Sequence, residues 1–297
     1  MSIESVRSLV AQFSASASAL AVLGAELQAR ATGKPLPAAL QPHVDDILRE
    51  IGAAAALEGT TPDELRPLLA EIRHFWLLDS DFLAKSDRAL GWGYTDPDVL
   101  DSAGEVTQGF ANALVRIAPD LPGLADRLQA SDGKFLDVGT GVGRLSIAMA
   151  RRFPSLHVVG VDTWAPALAL ARHHIAEAGL RDRVELREES GADLPDHEAF
   201  DLAWIPAPFV PPQAIGPLLD RVHRALKRGG WVLFATAKPG EDLRGAVMRF
   251  RVAQWGGRPT TQDEVEKLLA HAGFTDLKVL PGPPKDFKMI VAARRAL

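Results

Sequence analysis

The sequence predicts an α/β domain built on a mostly parallel sheet and preceded by an all-helical domain. Through the first 131 residues, apolar side chains recur at helical spacing and no strand-like alternation appears. From residue 132 onward, strands and helices alternate, which is typical of βαβ units. A glycine-rich turn at residues 139–143 follows the first of these strands. We therefore expect two domains, over residues 1–131 and 132–297.

Composition and charge exclude several classes of function. The 297 residues are 47% apolar and 24% charged, which is the profile of a globular protein large enough to build a core without metal or disulfides. The absence of Cys excludes a catalytic thiol and every thiolate-bound metal. Since no His-x-x-x-His pair occurs either, no metal site is expected. The net charge is −5 and no run of five like charges occurs, so no nucleic-acid partner is expected.

The N-terminal third is predicted to be helical throughout. Residues 3–30 form an amphipathic pattern that ends at Thr32-Gly33-Lys34-Pro35. A later helix opens at Thr61-Pro62-Asp63-Glu64, with a hydroxyl cap, proline in the first turn and acids near the positive helix end. The predicted helices after the first cover residues 43–58, 61–78, 95–117 and 123–129.

The first helix also bears on location and assembly. It contains no 18 consecutive apolar residues, Glu4 precedes its uncharged part, and Ser alternates with Ala there, which argues against a membrane span and a signal peptide. We therefore expect a cytoplasmic protein with no membrane partner. A face of small residues favours close helix packing within one chain or between the chains of a homodimer; it consists of Ser14, Ala17, Ser18 and Ala21.

Seven strands are predicted in the second domain. They cover residues 135–138, 157–161, 184–187, 200–205, 231–235, 277–280 and 287–293, with predicted helices starting near 144 and over 167–178, 215–226 and 262–272. The last two strands are joined only by the turn Pro281-Gly282-Pro283-Pro284. Because a parallel crossover needs a dozen or more residues, these two strands must be antiparallel.

A glycine loop and a following acid indicate the ligand site. The loop reads Asp137-Val138-Gly139-Thr140-Gly141-Val142-Gly143 and lies where open α/β sheets bind ligands. Glycine allows the sharp turn and the close approach of backbone to ligand. Its G-x-G-x-G spacing differs from the G-x-G-x-x-G typical of dinucleotide sites. Asp162 ends the second strand, 25 residues after Asp137, where a carboxylate can accept hydrogen bonds from both hydroxyls of a ribose.

These residues resemble the class I S-adenosyl-L-methionine (SAM) methyltransferase family. The resemblance covers residues 132–295: the glycine loop, Asp162, the segment Leu226-Lys227-Arg228-Gly229-Gly230 before strand five, and the closing hairpin. It implies a Rossmann-like seven-stranded sheet in the order 3-2-1-4-5-7-6, with the last strand antiparallel and an α-helical N-terminal cap domain. It also implies SAM as cofactor and S-adenosyl-L-homocysteine as product.

The resemblance assigns cofactor roles to individual residues. Gly139 and Gly141 would contact the methionine part of SAM, Asp137 would orient its amino group, and Asp162 would hold the ribose. The partner of the adenine amino group stays open among Glu189, Ser190 and Asp193, because Ser190 stands where the family usually has Asp. The full expected set is Asp137, Gly139, Thr140, Gly141, Gly143, Asp162, Thr163, Trp164, Glu189, Ser190 and Ile205.

The chemistry expected is in-line methyl transfer in a site that excludes water, where positioning alone can lower the barrier by roughly 7–11 kcal/mol. A general base is needed only when the nucleophile arrives protonated. Members of the family that methylate base amino groups or protein amides carry Asn or Asp before Pro-Pro-Tyr/Phe, whereas this chain has Ile205-Pro206-Ala207-Pro208-Phe209. We therefore expect a small apolar or aromatic acceptor, methylated on O, N or C, in secondary metabolism.

Catalytic and substrate residues are predicted from aromatic and basic positions near the expected site. Tyr94 lies in the glycine-bracketed loop with Trp92, either as a pocket or proton-transfer residue or as a hydrophobic staple for the next helix. His74, beside Phe75 and Trp76, is the candidate base. The candidate substrate contacts are Trp92, Pro206, Arg251 and Trp255.

Two other functions are compatible with the sequence. A SAM-binding regulatory protein without catalysis would use the helical domain to bind a partner. A nicotinamide-dependent reductase is the less favoured alternative, because of the spacing of the glycine loop.

Overall fold

The computed structural model describes residues 2–282 and 288–297, in two units. The first unit ends at Ser86 and the second runs from Asp87 to Leu297. This division differs from the boundary that the sequence predicted after residue 131. The three helices that lie between the two positions pack onto the α/β core instead, against its first helix and its fourth strand.

The first unit is helical, as expected. Its core is formed by side chains from three of its helices, with Leu27, Leu48 and Leu65 nearly inaccessible to solvent. The predicted cap is present: the Thr61 backbone N–H donates to Glu64 Oε2 at 2.8 Å, which lowers the pKa of Glu64. The helices are α1 (Ile3–Thr32), α2 (Gln41–Glu50), α3 (Ala53–Ala56) and α4 (Pro62–Ala84).

The first half of α1 is exposed and apolar. Its buried residues begin only at Gly24. An 18-residue window has a mean hydropathy of 1.5, so α1 could cross a membrane by length and composition alone. The expected cytoplasmic location and the expected dimer through α1 stay predictions, and light scattering would test the dimer. The exposed large apolar residues of this half are Ile3, Val6, Leu9, Val10, Phe13 and Leu20.

The second unit contains a seven-stranded sheet. Its strand order is β3-β2-β1-β4-β5-β7-β6, and β7 pairs antiparallel with both neighbours, which confirms the predicted topology. Pro283, Pro284 and Phe287, from the predicted turn and strand, lie outside the described residues. The strands are β1 (Lys134–Val138), β2 (His157–Asp162), β3 (Val184–Glu188), β4 (Phe200–Pro206), β5 (Leu226–Ala237), β6 (Phe274–Val279) and β7 (Lys288–Arg295).

Two apolar cores lie on the two faces of this sheet. Successive strand residues point to opposite faces, so Phe135 packs into one core and Leu136 into the other. The first core is covered by α6 to α9 and the second by α10 and α12. The helices of this unit are α5 (Pro97–Gln108), α6 (Phe110–Ile117), α7 (Leu124–Gln129), α8 (Arg144–Arg152), α9 (Ala165–Glu177), α10 (Pro212–Ala225), α11 (Leu243–Gln254) and α12 (Gln262–His271).

Two helical segments differ from the expectation. The single helix predicted over residues 95–117 is divided at Gly109 into α5 and α6. Residues 243–254, where the sequence analysis predicted neither helix nor strand, form α11; its start is capped by Asp242 Oδ1, which accepts the Gly245 N–H at 2.8 Å. Both differences matter for the site, because α5 and the end of α11 border it.

Candidate functional site

A cavity of about 410 Å³ opens in the second unit where β1, β2, β3 and β4 end. Its volume lies in the range typical of sites for small molecules. The glycine loop and the residues that follow β2 and β3 form one side. Helix α5 contributes Leu100, Ala103, Gly104 and Thr107, and the remaining lining comes from residues 91–92, 206–211 and 255–256.

The glycine loop has a backbone that only glycine adopts readily. Gly139, Gly141 and Gly143 have φ values of 66°, 55° and 76°. The loop is tied to β2, because the Gly139 N–H donates to the Val161 carbonyl at 2.8 Å. Gly139 and Gly141 line the cavity. A Cβ on Gly143 would lie 3.3 Å from Ala171 Cβ, so Gly143 serves the close packing of the loop on α9.

Asp137 is a buried carboxylate beneath this loop. Its Oδ2 accepts hydrogen bonds from Thr140 Oγ at 3.0 Å and from Ser146 Oγ at 2.6 Å. Burial raises the pKa of Asp137 to about 6; the two hydroxyls oppose that rise and the nearby Asp162 carboxylate adds to it. Asp137 is therefore ionised at neutral pH and loses its charge in the mildly acidic range.

Asp162 is held by backbone donors at the end of β2. Its Oδ2 accepts the Gly141 N–H and its Oδ1 accepts the Trp164 N–H, both at 2.8 Å. Burial raises the pKa of Asp162, while these backbone hydrogen bonds act in the opposite direction. Each carboxylate oxygen can accept a further hydrogen bond, so the group remains able to bind two adjacent hydroxyls at the cavity.

The segment after β3 contains one buried carboxylate oxygen that makes no hydrogen bond. Glu189 lines the cavity, and its Oε1 is buried without a hydrogen-bond partner, 3.6 Å from Arg187 Nη1. Ser190 also lines the cavity, but its Oγ already accepts the Ala192 N–H at 3.2 Å. Asp193 is exposed and is not among the described lining residues. The three alternatives for the adenine partner are thereby narrowed to Glu189 and Ser190.

Three aromatic side chains that line the cavity, Trp92, Phe209 and Trp255, contact one another in sequence; we call them the aromatic wall. Phe209 stacks on Trp255 with ring centroids 4.7 Å apart and planes 20° apart. The Trp92 ring meets Phe209 edge-on at 5.1 Å. Such stacked and edge-to-face pairs favour one fixed arrangement of the rings.

Backbone contacts lock the segments that carry the aromatic wall. The Gly91 N–H donates to the Gln254 carbonyl at 2.8 Å. A Cβ on Gly256, whose φ is +90°, would lie 3.2 Å from Gly91 Cα, and one on Gly257 would lie 2.7 Å from the Pro208 carbonyl carbon. Only glycine at these positions allows the chains to approach so closely.

Helix α5 forms the cavity's third side and packs directly on the glycine loop. A Cβ on Gly104 would clash with the side chains of Val142, in the glycine loop, and of Arg144, the first residue of α8, so the α5 backbone lies directly against both. One turn earlier, Asp101 Oδ1 lies 3.0 Å from Arg144 Nη2 and 3.4 Å from His174 Nε2. His174 Nδ1 lies 3.0 Å from the Val142 carbonyl and must carry the proton there, because a carbonyl only accepts.

Comparison with known proteins provides independent evidence on the type of domain. Residues 135–230 match the family model described as a methyltransferase domain. The chain therefore contains a methyltransferase domain over these residues. Two solved structures with a similar fold, human N-acetylserotonin methyltransferase at 14% identity and PigF at 18% identity, hold SAM and S-adenosylhomocysteine, respectively.

Individual relatives are distant. The chain is 28% identical to demethylspheroidene O-methyltransferase of Cereibacter sphaeroides, over 64% of this chain and 50% of that protein. It is also 28% identical to the release factor glutamine methyltransferase of Chlorobaculum tepidum, over 63% of this chain and 64% of that protein. These matches span half to just under two thirds of the curated relatives.

A similar fold is seen over the whole chain in the pyocyanin biosynthetic protein PhzM. The TM-score is 0.64 at 18% identity, with 99% of this chain and 100% of that chain covered. At this identity the likeness concerns the fold alone, including the helices that precede the sheet.

Most of the site residues predicted from the sequence meet at the methyltransferase cavity. Two long-range features bring them together: the parallel strands end at one edge of the sheet, and residues 255–256 fold back against residue 91. The predicted residues that line the cavity are Asp137, Gly139, Thr140, Gly141, Asp162, Thr163, Trp164, Glu189, Ser190, Trp92, Pro206 and Trp255.

Other predicted residues lie elsewhere. Ile205 is completely buried in the core under the opposite face of the sheet, because side chains alternate along β4. Gly143 packs on α9, and Arg251 is not among the described lining residues. His74 is buried within α4 of the first unit, its ring centroid 5.3 Å from that of Phe75.

Tyr94 is also outside the described lining residues. Its buried ring meets Trp92 edge-on at 4.9 Å, and the Arg88 guanidinium lies 3.5 Å from its centroid. Its carbonyl accepts a hydrogen bond from Trp164 Nε1 at 2.6 Å. Tyr94 therefore packs its ring against Trp92 of the aromatic wall and holds Trp164 through its backbone carbonyl.

Sequence reasoning missed α5, Trp204 and Phe209 as parts of the lining. A signal for Trp204 existed, since it lies two residues before Pro206 on β4 and so faces the same side. Nothing local identifies Phe209 or Gly104, because their roles depend on contacts with segments distant in the chain.

Proposed function

We propose that this protein transfers the methyl group of SAM to an O, N or C nucleophile of a small apolar or aromatic metabolite. The observation that carries the proposal is that one cavity is bordered both by the glycine loop with Asp162 and by the aromatic wall. A cofactor bound at the first and a flat acceptor at the second would share a single enclosed space.

The chain's part in the reaction is to hold the two reactants in position and to exclude water. SAM, when bound, supplies a methyl group already activated by its sulfonium. Asp162 would bind the ribose hydroxyls, and Asp137 would orient the amino group of the methionine part. The aromatic wall would keep water from the transfer path, and fixing the nucleophile in line can provide roughly 7–11 kcal/mol of the barrier reduction.

The residues after β4 favour a small acceptor over an amide or a nucleic-acid base. Ile205 is buried in the core and Pro206 lines the cavity, so neither side chain supplies a polar acceptor for an amino group. Of the two relatives compared above, demethylspheroidene O-methyltransferase fits this lining better than the release factor glutamine methyltransferase does.

A protonated nucleophile would need a base. Among the described residues that line the cavity, the titratable side chains are Asp137, Asp162 and Glu189, all on the cofactor side. Tyr94 and His74 remain untested predictions as proton acceptors, since neither is among the described residues that line the cavity. The adenine amino group would donate to Glu189 Oε1, the buried oxygen that lacks a partner.

The proposal is tested by turnover. The full chain is incubated with SAM and, separately, with hydroxylated naphthalenes, aromatic amines, a glutamine-containing peptide and a single-stranded oligonucleotide. S-adenosylhomocysteine and methylated products are quantified by mass spectrometry, with Asp162→Ala as the control for cofactor dependence. We expect product with small aromatics only. Tight SAM binding without product from any acceptor would instead support a non-catalytic SAM-binding protein, and peptide methylation would refute the acceptor class.

A further inference from the structure

We propose that Trp255 selects the methyl acceptor, its indole N–H donating a hydrogen bond to an oxygen atom at the edge of a flat, neutral aromatic ligand. The inference rests on the proposed function, because it places that ligand in the same cavity. It goes further by naming the residue that discriminates between acceptors and the chemical group it recognises.

The indole N–H of Trp255 lacks a partner among the described residues. Its Nε1 is buried and makes no hydrogen bond, and the residue as a whole is only 7% exposed. Two other tryptophans satisfy theirs within the protein: Trp164 Nε1 donates to the Tyr94 carbonyl and Trp231 Nε1 to the Pro122 carbonyl. Since burying a donor without a partner is costly, the Trp255 N–H points to a group that arrives with a ligand.

The Trp255 ring is held in place before any ligand binds. One of its faces stacks on Phe209, and Trp92 braces Phe209 from its edge. The residues that follow Trp255 are fixed at backbone distances from Gly91 and Pro208, which limits movement of this segment. A donor fixed in this way gains more discrimination from a hydrogen bond than a mobile one does.

The chemistry of the wall determines what the ligand offers. An indole nitrogen is a donor only, so the recognised atom must be an acceptor such as a carbonyl or ether oxygen. The wall around it is aromatic and contains no charged side chain among the described lining residues, so a neutral, flat ring fits it better than an ion. A site that provides a buried donor rejects an analogue without the oxygen more strongly than it rejects one of a different size.

The test compares two probes that differ by one oxygen, 1-indanone and indane. Both are titrated calorimetrically into the full-length protein saturated with S-adenosylhomocysteine. We expect the wild type to bind 1-indanone about tenfold more tightly than indane. Trp255→Phe is expected to reduce that ratio to about one. The control Trp76→Phe makes the same change at an indole that is 44% exposed, and it is expected to retain the full ratio.

A second measurement needs no variant. In a ¹⁵N-labelled sample the six tryptophans provide the indole N–H resonances, and one of these is expected to move downfield with 1-indanone and not with indane. The inference is overturned if the wild type binds neither probe, if it binds both equally, or if Trp255→Phe keeps the tenfold ratio. Failure of S-adenosylhomocysteine binding or of methyl transfer would count against the proposed function and is measured separately.

Discussion

The two sides of the cavity, proposed to bind the cofactor and the methyl acceptor, are built in opposite ways. On the cofactor side, polar groups are already engaged with one another: Asp162 accepts two backbone N–H groups and Asp137 accepts two hydroxyls. On the proposed acceptor side, three aromatic rings line the cavity, and the buried indole N–H of Trp255 has no hydrogen-bond partner among the described residues. A preformed polar network suits a single cofactor that is always required. An apolar wall with one hydrogen-bond donor suits a ligand that is recognised by its flat shape and by one acceptor atom.

The largest expected effect is on the cofactor side. Asp162→Ala removes the acceptor of two backbone hydrogen bonds together with the proposed ribose contact. Because hydrogen bonds to charged groups contribute about 1.5–3 kcal/mol each, we expect SAM to bind roughly a hundredfold more weakly by calorimetry. The control is Asp193→Ala, which removes an exposed carboxylate from the segment after β3 and is expected to bind SAM normally. Wild-type affinity in Asp162→Ala would refute the assignment.

The next largest effect is expected from a substitution in α5. Gly104→Ala places a methyl group against the Arg144 side chain, and overpacking of this kind costs about 1–3 kcal/mol. We expect a lower melting temperature and SAM affinity reduced by up to thirtyfold, since the glycine loop must shift.

The matched variant for α5 is Gly109→Ala. No atom lies within 4 Å of the added methyl group, and the backbone there is already helical with φ −64°. It is expected to leave SAM binding unchanged and to be neutral or slightly stabilising. Equal behaviour of the two variants would show that contact between α5 and the loop is unimportant.

The smallest expected effect is a difference in pH dependence between ligand binding on the two sides of the cavity. Because the pKa of Asp137 is raised to about 6, the carboxylate gains a proton below that pH and no longer attracts the amino group of SAM. We expect the Kd for SAM to rise about tenfold between pH 7 and pH 5, and Asp137→Asn to abolish this dependence. The binding of 1-indanone, which involves no titrating group of the wall, is expected to stay constant over the same range.

The same carboxyl has a consequence for folding. Its pKa is higher in the folded state than the ordinary value of 3.8, so the folded protein binds the proton more tightly. The contribution of Asp137 to the free energy of unfolding therefore falls as pH rises from about 4 to about 6. Thermal melts of the wild type and Asp137→Asn across that range measure it, and parallel curves would contradict the assignment.

The sequence by itself determined the cofactor side. Glycines at 139, 141 and 143 are needed because the backbone there has positive φ, and Asp162 lies at a strand end whose place follows from the βαβ pattern. The strand order followed from the resemblance to the family, and the antiparallel last strand also from the short final turn. Local conformational demands of this kind are visible in the residues that meet them.

Only the tertiary structure decided the acceptor side and its borders. It placed Gly109 as the end of α5, sent Ile205 to the opposite core, assigned Gly143 to helix packing, and stacked Phe209 on Trp255, 46 positions later in the sequence. It also joined α5 to the α/β unit rather than to the helical one. These outcomes depend on which side chains meet after the chain has folded, and contacts between distant segments leave no periodic pattern in the sequence.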